Sequence, residues 1–289
     1  MAANVTRTGS NLPNGNFLPA VWSKKLNAKY YAQTCLMDIT NSNWEGEIKG
    51  QGSQVEIRVI PTVQINDYTV NQDVQYQDIT DEKITLLIDK AKSFSFKIDD
   101  IDAAQADIAV LNELTKDAAF QMKIAVEKQV FGSIYSDAGS TLTTLTMDKT
   151  NVLDWIIDAE VKLEESNIPA DGRWIVIPPK AAGYIQKSDL KNASITGDSK
   201  SIIRGNLNNG RLGEIGGMTV YVSNNLTSSG TTYQCMAGHK SAITFASQIV
   251  KVENLRLQSK FGDAVRGLNV YGFKTLLPSG LVSMPAVIA

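Results

Sequence analysis

Histidine and cysteine are almost missing from this chain: His239 is its one histidine, and Cys35 and Cys235 are its only cysteines. Without a Cys-x-x-Cys pair or a second histidine, a structural zinc site is excluded. Any Ser-His-Asp or Cys-His arrangement has to use His239, which sits in Ala-Gly-His-Lys-Ser between two strand patterns and reads as an ordinary turn residue. Long apolar runs are lacking too, and no segment approaches the roughly 20 residues needed to cross a bilayer. The first residues, Met-Ala-Ala-Asn-Val-Thr-Arg, carry no apolar stretch of the signal-peptide kind, so a soluble protein made in a reducing cytoplasm is expected. In that setting the Asn-x-Ser/Thr triplets at Asn4, Asn192 and Asn225 have no weight. Nor is there an excess of charge: 28 Lys and Arg face 30 Asp and Glu, for a formal net charge of -2. That balance argues against a nucleic-acid binder coated in basic side chains and against an acidic tail.

What is present is core-forming material. The chain has 289 residues, 43% of them hydrophobic, enough to bury roughly three-quarters of the surface exposed when unfolded. Length admits one large domain or two, so boundaries must come from local pattern. The first 37 residues hold Arg7, Lys24, Lys25 and Lys29 and no acid. Residues 8–19 suit no regular element, and 20–31 space Val21, Leu26 and Tyr30 at nearly helical intervals behind Pro19. An arm followed by a short helix is expected, and the apolar face of that helix needs a partner.

Residues 54–60 alternate, with Val55, Ile57 and Val59 on one side and Glu56 and Arg58 on the other, a half-buried strand stopped by Pro61. Further strand patterns lie at 84–89 and 94–98. Residues 62–83 between them are polar and have too few apolar side chains for a core, so two strands with a long tip are expected. A hairpin of this kind is marginal alone and needs its own domain or another subunit to hold it. From 102 to about 135, Ile108, Leu111, Leu114, Ala118, Met122, Ala125 and Val130 recur in steps of three to five, an amphipathic helix close to 50 Å long. Asp99, Asp100 and Asp102 precede it as capping residues. A Ser/Thr-rich connection at 139–146 leads to a second helix at 151–166 through Val152, Ile156, Ala159 and Leu163. Residues 173–177 read as a strand buried on both faces, followed by a helix at 180–187, a polar irregular stretch at 188–211 and a strand at 218–223. Short strands are expected at 242–245, 249–252 and 268–273.

No arrangement of residues singles out an active site. The aspartates at 99, 100 and 102 are the one cluster that offers the alternative of a carboxylate-based enzyme, and adjacent acids before a helix are ordinarily its cap. Gly210, Gly213, Gly216 and Gly217 precede a strand and lack a following Gly-Lys-Ser/Thr, so they read as turn glycines and not as a nucleotide loop. Trp22, Trp44, Trp155 and Trp174 are scattered, as core or interface anchors are, without the basic-aromatic interleaving of a single-strand binder.

The order of arm, short helix, two-stranded projection, long helix, mixed insertion and returning strands resembles the major capsid protein of tailed bacteriophages, a fold shared with encapsulin shells. Asn41-Ser-Asn-Trp-Glu-Gly-Glu-Ile-Lys-Gly-Gln-Gly-Ser-Gln-Val-Glu-Ile resembles the approach to that family's extended E loop. Tyr76-Gln-Asp-Ile-Thr-Asp and Phe94-Ser-Phe-Lys-Ile-Asp-Asp-Ile-Asp resemble the return strand and its junction with the spine helix. Arg173-Trp-Ile-Val-Ile-Pro-Pro, Gly213-Glu-Ile-Gly-Gly-Met-Thr-Val-Tyr-Val-Ser-Asn-Asn-Leu and Gly238-His-Lys-Ser-Ala-Ile-Thr-Phe-Ala resemble successive A-domain segments and the descent into the last strands. The resemblance runs from about residue 18 to the C-terminus and rests on the order of these stretches.

It implies an α+β capsid fold: an arm with a short helix at 1–44, an E-loop hairpin at 45–98, a P domain at 99–146 with return strands at 245–289, and an A domain at 147–244. It further implies a non-enzymatic protein without cofactor or metal, assembled in a bacterial cytoplasm into the icosahedral virion capsid. Hexamers and pentamers, a separate scaffolding protein, a portal and weakly held double-stranded DNA are the expected partners, and a shell around cargo is the alternative. Trp22, Trp44, Lys49, Tyr68, Tyr76 and Arg204 are the expected interface residues. Some relatives link lysine to asparagine between subunits, for which Lys49, Lys83, Lys90 and Lys92 and Asn254 and Asn269 are the residues available here.

Overall fold

The computed structural model describes residues 31–44, 54–61, 63–67, 70, 73, 76–78, 82–99, 109–188, 211–256 and 262–288. The expected hairpin is present. Strand β1 (Gln54–Val59) pairs antiparallel with β2 (Glu82–Leu87), in register from Gln54 opposite Leu87 to Val59 opposite Glu82. The alternation works as the sequence requires: Val55 and Ile57 are buried while Glu56 and Arg58 face out, and Lys83 bonds Glu56 at 2.9 Å across the outer face. Val55, Ile57, Leu86 and Ile88 form a small core with Ala246 and Val270, flanked by Trp44, Leu268 and Leu276. The base of the hairpin is thus packed on the sheet beneath it.

That sheet has three strands in the order β11 (Ile243–Arg256), β12 (Gly262–Thr275), β3 (Lys90–Asp99). The short patterns expected at 242–245 and 249–252 are one strand of 14 residues, about 46 Å at 3.3 Å per residue. Its register shifts between Ile249 and Lys251, a bulge that breaks the alternation and so hides the continuity in the sequence. On β12 two glycines admit close neighbours. A Cβ at Gly267 would enter the Phe94 ring opposite it, and one at Gly272 would fall on the Leu87 carbonyl and the Ile88 backbone.

Helix α2 (Ala109–Ile134) lies on this sheet, and Tyr271 donates its hydroxyl to Gln129 Oε1 at 2.7 Å. Among its described side chains the buried apolar ones lie in the last turns, at Val126, Val130, Phe131 and Ile134. Of the expected apolar stripe, Leu114 is 39% exposed, because this part of the helix lies beyond the core, and Phe120, off the stripe, is exposed as well. Before it, the chain makes a single turn of helix, α1 (Leu36–Ile39), and the helix expected at 20–31 falls outside the described residues except for Tyr31. Asp100 and Asp102 likewise lie outside them.

The second sheet has the order β4 (Ser140–Thr141), β13 (Leu281–Val287), β10 (Thr232–His239), β6 (Arg173–Ile177), β8 (Met218–Val222), β7 (Arg211–Ile215), with β5 (Leu145–Thr146) beside β13 and β9 (Ser228–Ser229) beside β10. All five residues of β6 are buried: Trp174–Ile177 as their apolar run demands, and Arg173 with its guanidinium donating to the Ile168 and Pro169 carbonyls. The Ser/Thr-rich stretch expected as a bare connection contributes two parallel bridges to β13. The C-terminal strand thereby bonds to the sheet of the middle segment, apart from β11 and β12. Helix α3 (Val152–Glu165) buries Val152, Trp155, Ile156, Ala159 and Leu163, and α4 (Pro179–Lys187) starts on a first-turn proline. No helix among the described residues is long and apolar enough to cross a membrane.

Candidate assembly surface

The residues that chemistry would need are engaged in holding the fold. His239 uses both ring nitrogens locally, Nδ1 with Ser241 Oγ and Nε2 with the Asp171 carbonyl, each at 2.7 Å. Gly216 (φ 57°) and Gly217 (φ 65°) sit in the left-handed region and close the two-residue turn between Ile215 and Met218, the pair of conformations a tight hairpin turn requires. Among the described residues no group of His, Cys, Asp and Glu is arranged to hold a metal ion. A surface depression of about 410 Å³ beside β3 is lined by Ser93, Ser95 and the paired Glu253 and Arg266. Asp99 ends β3.

The unusual chemistry is apolar and lies at the hairpin's free end. Ile60, Ile65 and Tyr76 are more than nine-tenths exposed, at 93%, 91% and 93%, and Val63 and Val70 are exposed beside them. Fully burying one such side chain is worth about 1.5–3 kcal/mol, which these residues leave unrealised in the single chain. Residues 62–83 are expected to be too polar for a core, and the apolar side chains described among them, Val63, Ile65, Val70 and Tyr76, are exposed. The signal was present: Ile60 breaks the alternation by following Val59 directly, and Val63 and Ile65 resume it beyond Pro61.

Of the expected interface residues, Tyr76 belongs to this exposed group, while Trp44 is half-buried against the hairpin's core. Trp22, Lys49, Tyr68 and Arg204 lie outside the described residues. Lys83 and Lys90 pair within the chain, with Glu56 and Asp89, and Lys92 stands opposite Asn269 in the β3–β12 register.

A second feature is the tether of the arm. Glu127 on α2 is fully buried. Its Oε2 accepts the backbone N–H groups of Cys35 (2.8 Å) and Leu36 (3.2 Å), and its Oε1 accepts Ser223 Oγ (2.7 Å) and Asn225 Nδ2 (3.1 Å). Three segments distant in sequence meet on one carboxylate. Burial, followed by the Glu127 and Asp38 charges, pushes the Cys35 thiol well up, so neither Cys35 nor Cys235, pushed up by burial alone, is an activated nucleophile.

The hairpin is anchored at its base and carries exposed apolar side chains beyond it, and the arm is held to the long helix through Glu127. The sequence model of the family described as phage capsid protein matches residues 81–283. A chain from the solved structure of Mycobacterium phage Che8 is 32% identical, with 93% of this chain and 97% of that one covered at a TM-score of 0.76. The capsid of cyanophage P-SCSP1u (15% identity, 99% and 100% covered, TM-score 0.67) and the mature capsid of bacteriophage PhiM1 (14%, 98% and 97%, 0.67) share the fold. No curated protein sequence matches. The chain belongs to the phage capsid protein family: it is the major capsid protein of a phage head, a structural component of the virion and not an enzyme.

Proposed function

We propose that copies of this chain close into an icosahedral shell around double-stranded DNA, each hairpin tip lying over a neighbouring subunit. The exposed group of Ile60, Val63, Ile65, Val70 and Tyr76 carries this reading, since a neighbour's surface is what would take these side chains out of water. Single contacts can be weak. A millimolar pairwise affinity is only about 4 kcal/mol, yet a subunit held by several neighbours at once leaves only when most contacts break together. Trp22, Lys49, Tyr68 and Arg204 are proposed to join Tyr76 at these contacts, and Trp44 to hold the hairpin's base.

In this reading the hairpin is the E loop, 99–146 and 245–289 form the P domain and 147–244 the A domain, with Leu281–Val287 tying the two together by bonding to β10. Assembly on a separate scaffolding protein, a portal at one vertex and weak, salt-sensitive contacts to DNA complete it. Deleting 62–83 tests the central point. The expected result is a folded subunit that forms no closed particles by light scattering and negative-stain microscopy; normal shells from that chain would refute the hairpin's role.

A further inference from the structure

Helix α3 carries an apolar pair ringed by acids on its outer face. Ile157 and Val161, one turn apart, are 47% and 44% exposed, and Asp154, Asp158, Glu164 and Glu165 are exposed around them. At 3.6 residues per turn these six side chains fall on about one third of the helix surface. Glu164 stands 3.7 Å from Arg173, and Glu165 meets Lys162 at 2.7 Å in an exposed pair. β-branched residues are poor choices for a helix face that meets only water.

Helix α4 is opposite in kind. It holds no acid, and Pro179, Lys180, Gln186 and Lys187 are exposed. Between the two lysines lies Gly183, where an added Cβ would meet nothing within 4 Å. The lysines therefore flank an open gap.

The two faces share one spacing. On α3, Asp158 is followed by Val161 after three residues and by Glu165 after four more; on α4, Lys180, Gly183 and Lys187 follow the same steps. Laid side by side in the same direction, Asp158 faces Lys180, Val161 enters the gap at Gly183 and Glu165 faces Lys187, with the two charge pairs about 10 Å apart along the axes. One turn earlier Ile157 falls beside Pro179. Reversing one helix sets Val161 against Tyr184 and loses the gap. All of these side chains but those of Gly183 and Tyr184 are exposed in the single chain, so the two faces do not cover each other within it.

We propose that α3 of one subunit docks in parallel on α4 of a second copy, through Asp158 and Lys180, Val161 and Gly183, and Glu165 and Lys187. The two patches differ, so the contact is heterologous and repeats from copy to copy. Val161 and Ile157 supply the apolar contact, a missing side chain at Gly183 lets the helices approach closely, and the charges fix direction and register. The proposal rests on the assembly of capsid subunits and is independent of the hairpin tip.

Charge reversal in the full-length chain tests it. Asp158→Lys with Glu165→Lys, and separately Lys180→Glu with Lys187→Glu, set like charges against each other. Each should raise the concentration needed for assembly about tenfold while the subunit's unfolding midpoint stays put. Combining all four substitutions should return assembly to within about threefold of the native chain. Losses that simply add, or no loss in either pair, would overturn the proposal. Should a reversed chain not fold, Val161→Cys with Gly183→Cys decides. Oxidised particles run denatured without reductant should show interchain dimers and ladders, with little background from buried Cys35 and Cys235; only monomer, or a faster intrachain band, would overturn the proposal. Deletion of 62–83 leaves α3 and α4 intact, so the failure of the tip contact and the failure of this one are read separately.

Discussion

Glu127 accepts the Ser223 hydroxyl at 2.7 Å across 96 residues of sequence, and the same carboxylate holds the N–H groups of Cys35 and Leu36. The long helix, the arm and the turn after β8 are therefore fixed by one side chain. Replacing it strands the Cys35 and Leu36 N–H groups and the Ser223 hydroxyl, while Asn225 keeps the Gln33 carbonyl, and each unsatisfied buried group costs about 1–3 kcal/mol. Glu127→Ala should lower the unfolding free energy by at least about 3 kcal/mol, near the top of the single-substitution range. Glu127→Gln keeps one acceptor but turns an amide NH2 toward donors, and should lose about half as much. Denaturant midpoints measure both, and exchange at 33–36 should rise in both before the core opens.

Gly272 presses β12 against the backbone at the base of the hairpin. Gly272→Ala should cost about 1–3 kcal/mol through overpacking and tilt the hairpin off its seat on Val270 and Ala246. Thermal unfolding reads the first effect. The yield of closed particles reads the second, which should exceed what the stability loss predicts.

Serine at the tip should separate folding from assembly. Ile60→Ser with Ile65→Ser touches side chains in open solvent, so subunit stability should stay within about 0.5 kcal/mol. The loss of two buried apolar side chains at a contact should instead raise the concentration needed for assembly by about a hundredfold or more. Light scattering across a concentration series checks this, and unchanged assembly would argue against the tip as an interface.

Tyr271 is buried, and its ionisation is pushed up by burial first and then by the Asp89 charge. The unfolded chain loses this proton near the ordinary tyrosine value of about 10, while the folded chain retains it. Between those two pH values the unfolded state binds fewer protons, so stability is intact below pH 10 and falls as pH rises beyond it, by up to about 1.4 kcal/mol per unit. Tyr271→Phe should lose about 1 kcal/mol at neutral pH with the Gln129 bond and show a flatter alkaline limb in denaturant titrations.

Much of the local structure was legible because its cause is local. The alternation at 54–59, the apolar run at 174–177 and the 3.6-residue spacing in 151–166 each record which faces are buried, and β1, β6 and α3 follow them closely. Absence was legible too, in the single histidine and the balanced charge. Other features needed the third dimension. Strand β11 is continuous across its bulge because β12 pairs with both halves, and β13 joins β10 through bonds no periodicity encodes. The exposure of Leu114 depends on where the core ends, which the helical spacing of that residue does not reveal. Glu127 looks in sequence like any surface acid between Val126 and Lys128. Periodicity specifies which face of an element turns inward; only the packing of elements distant in sequence decides which inward faces find a partner and which are left for another molecule.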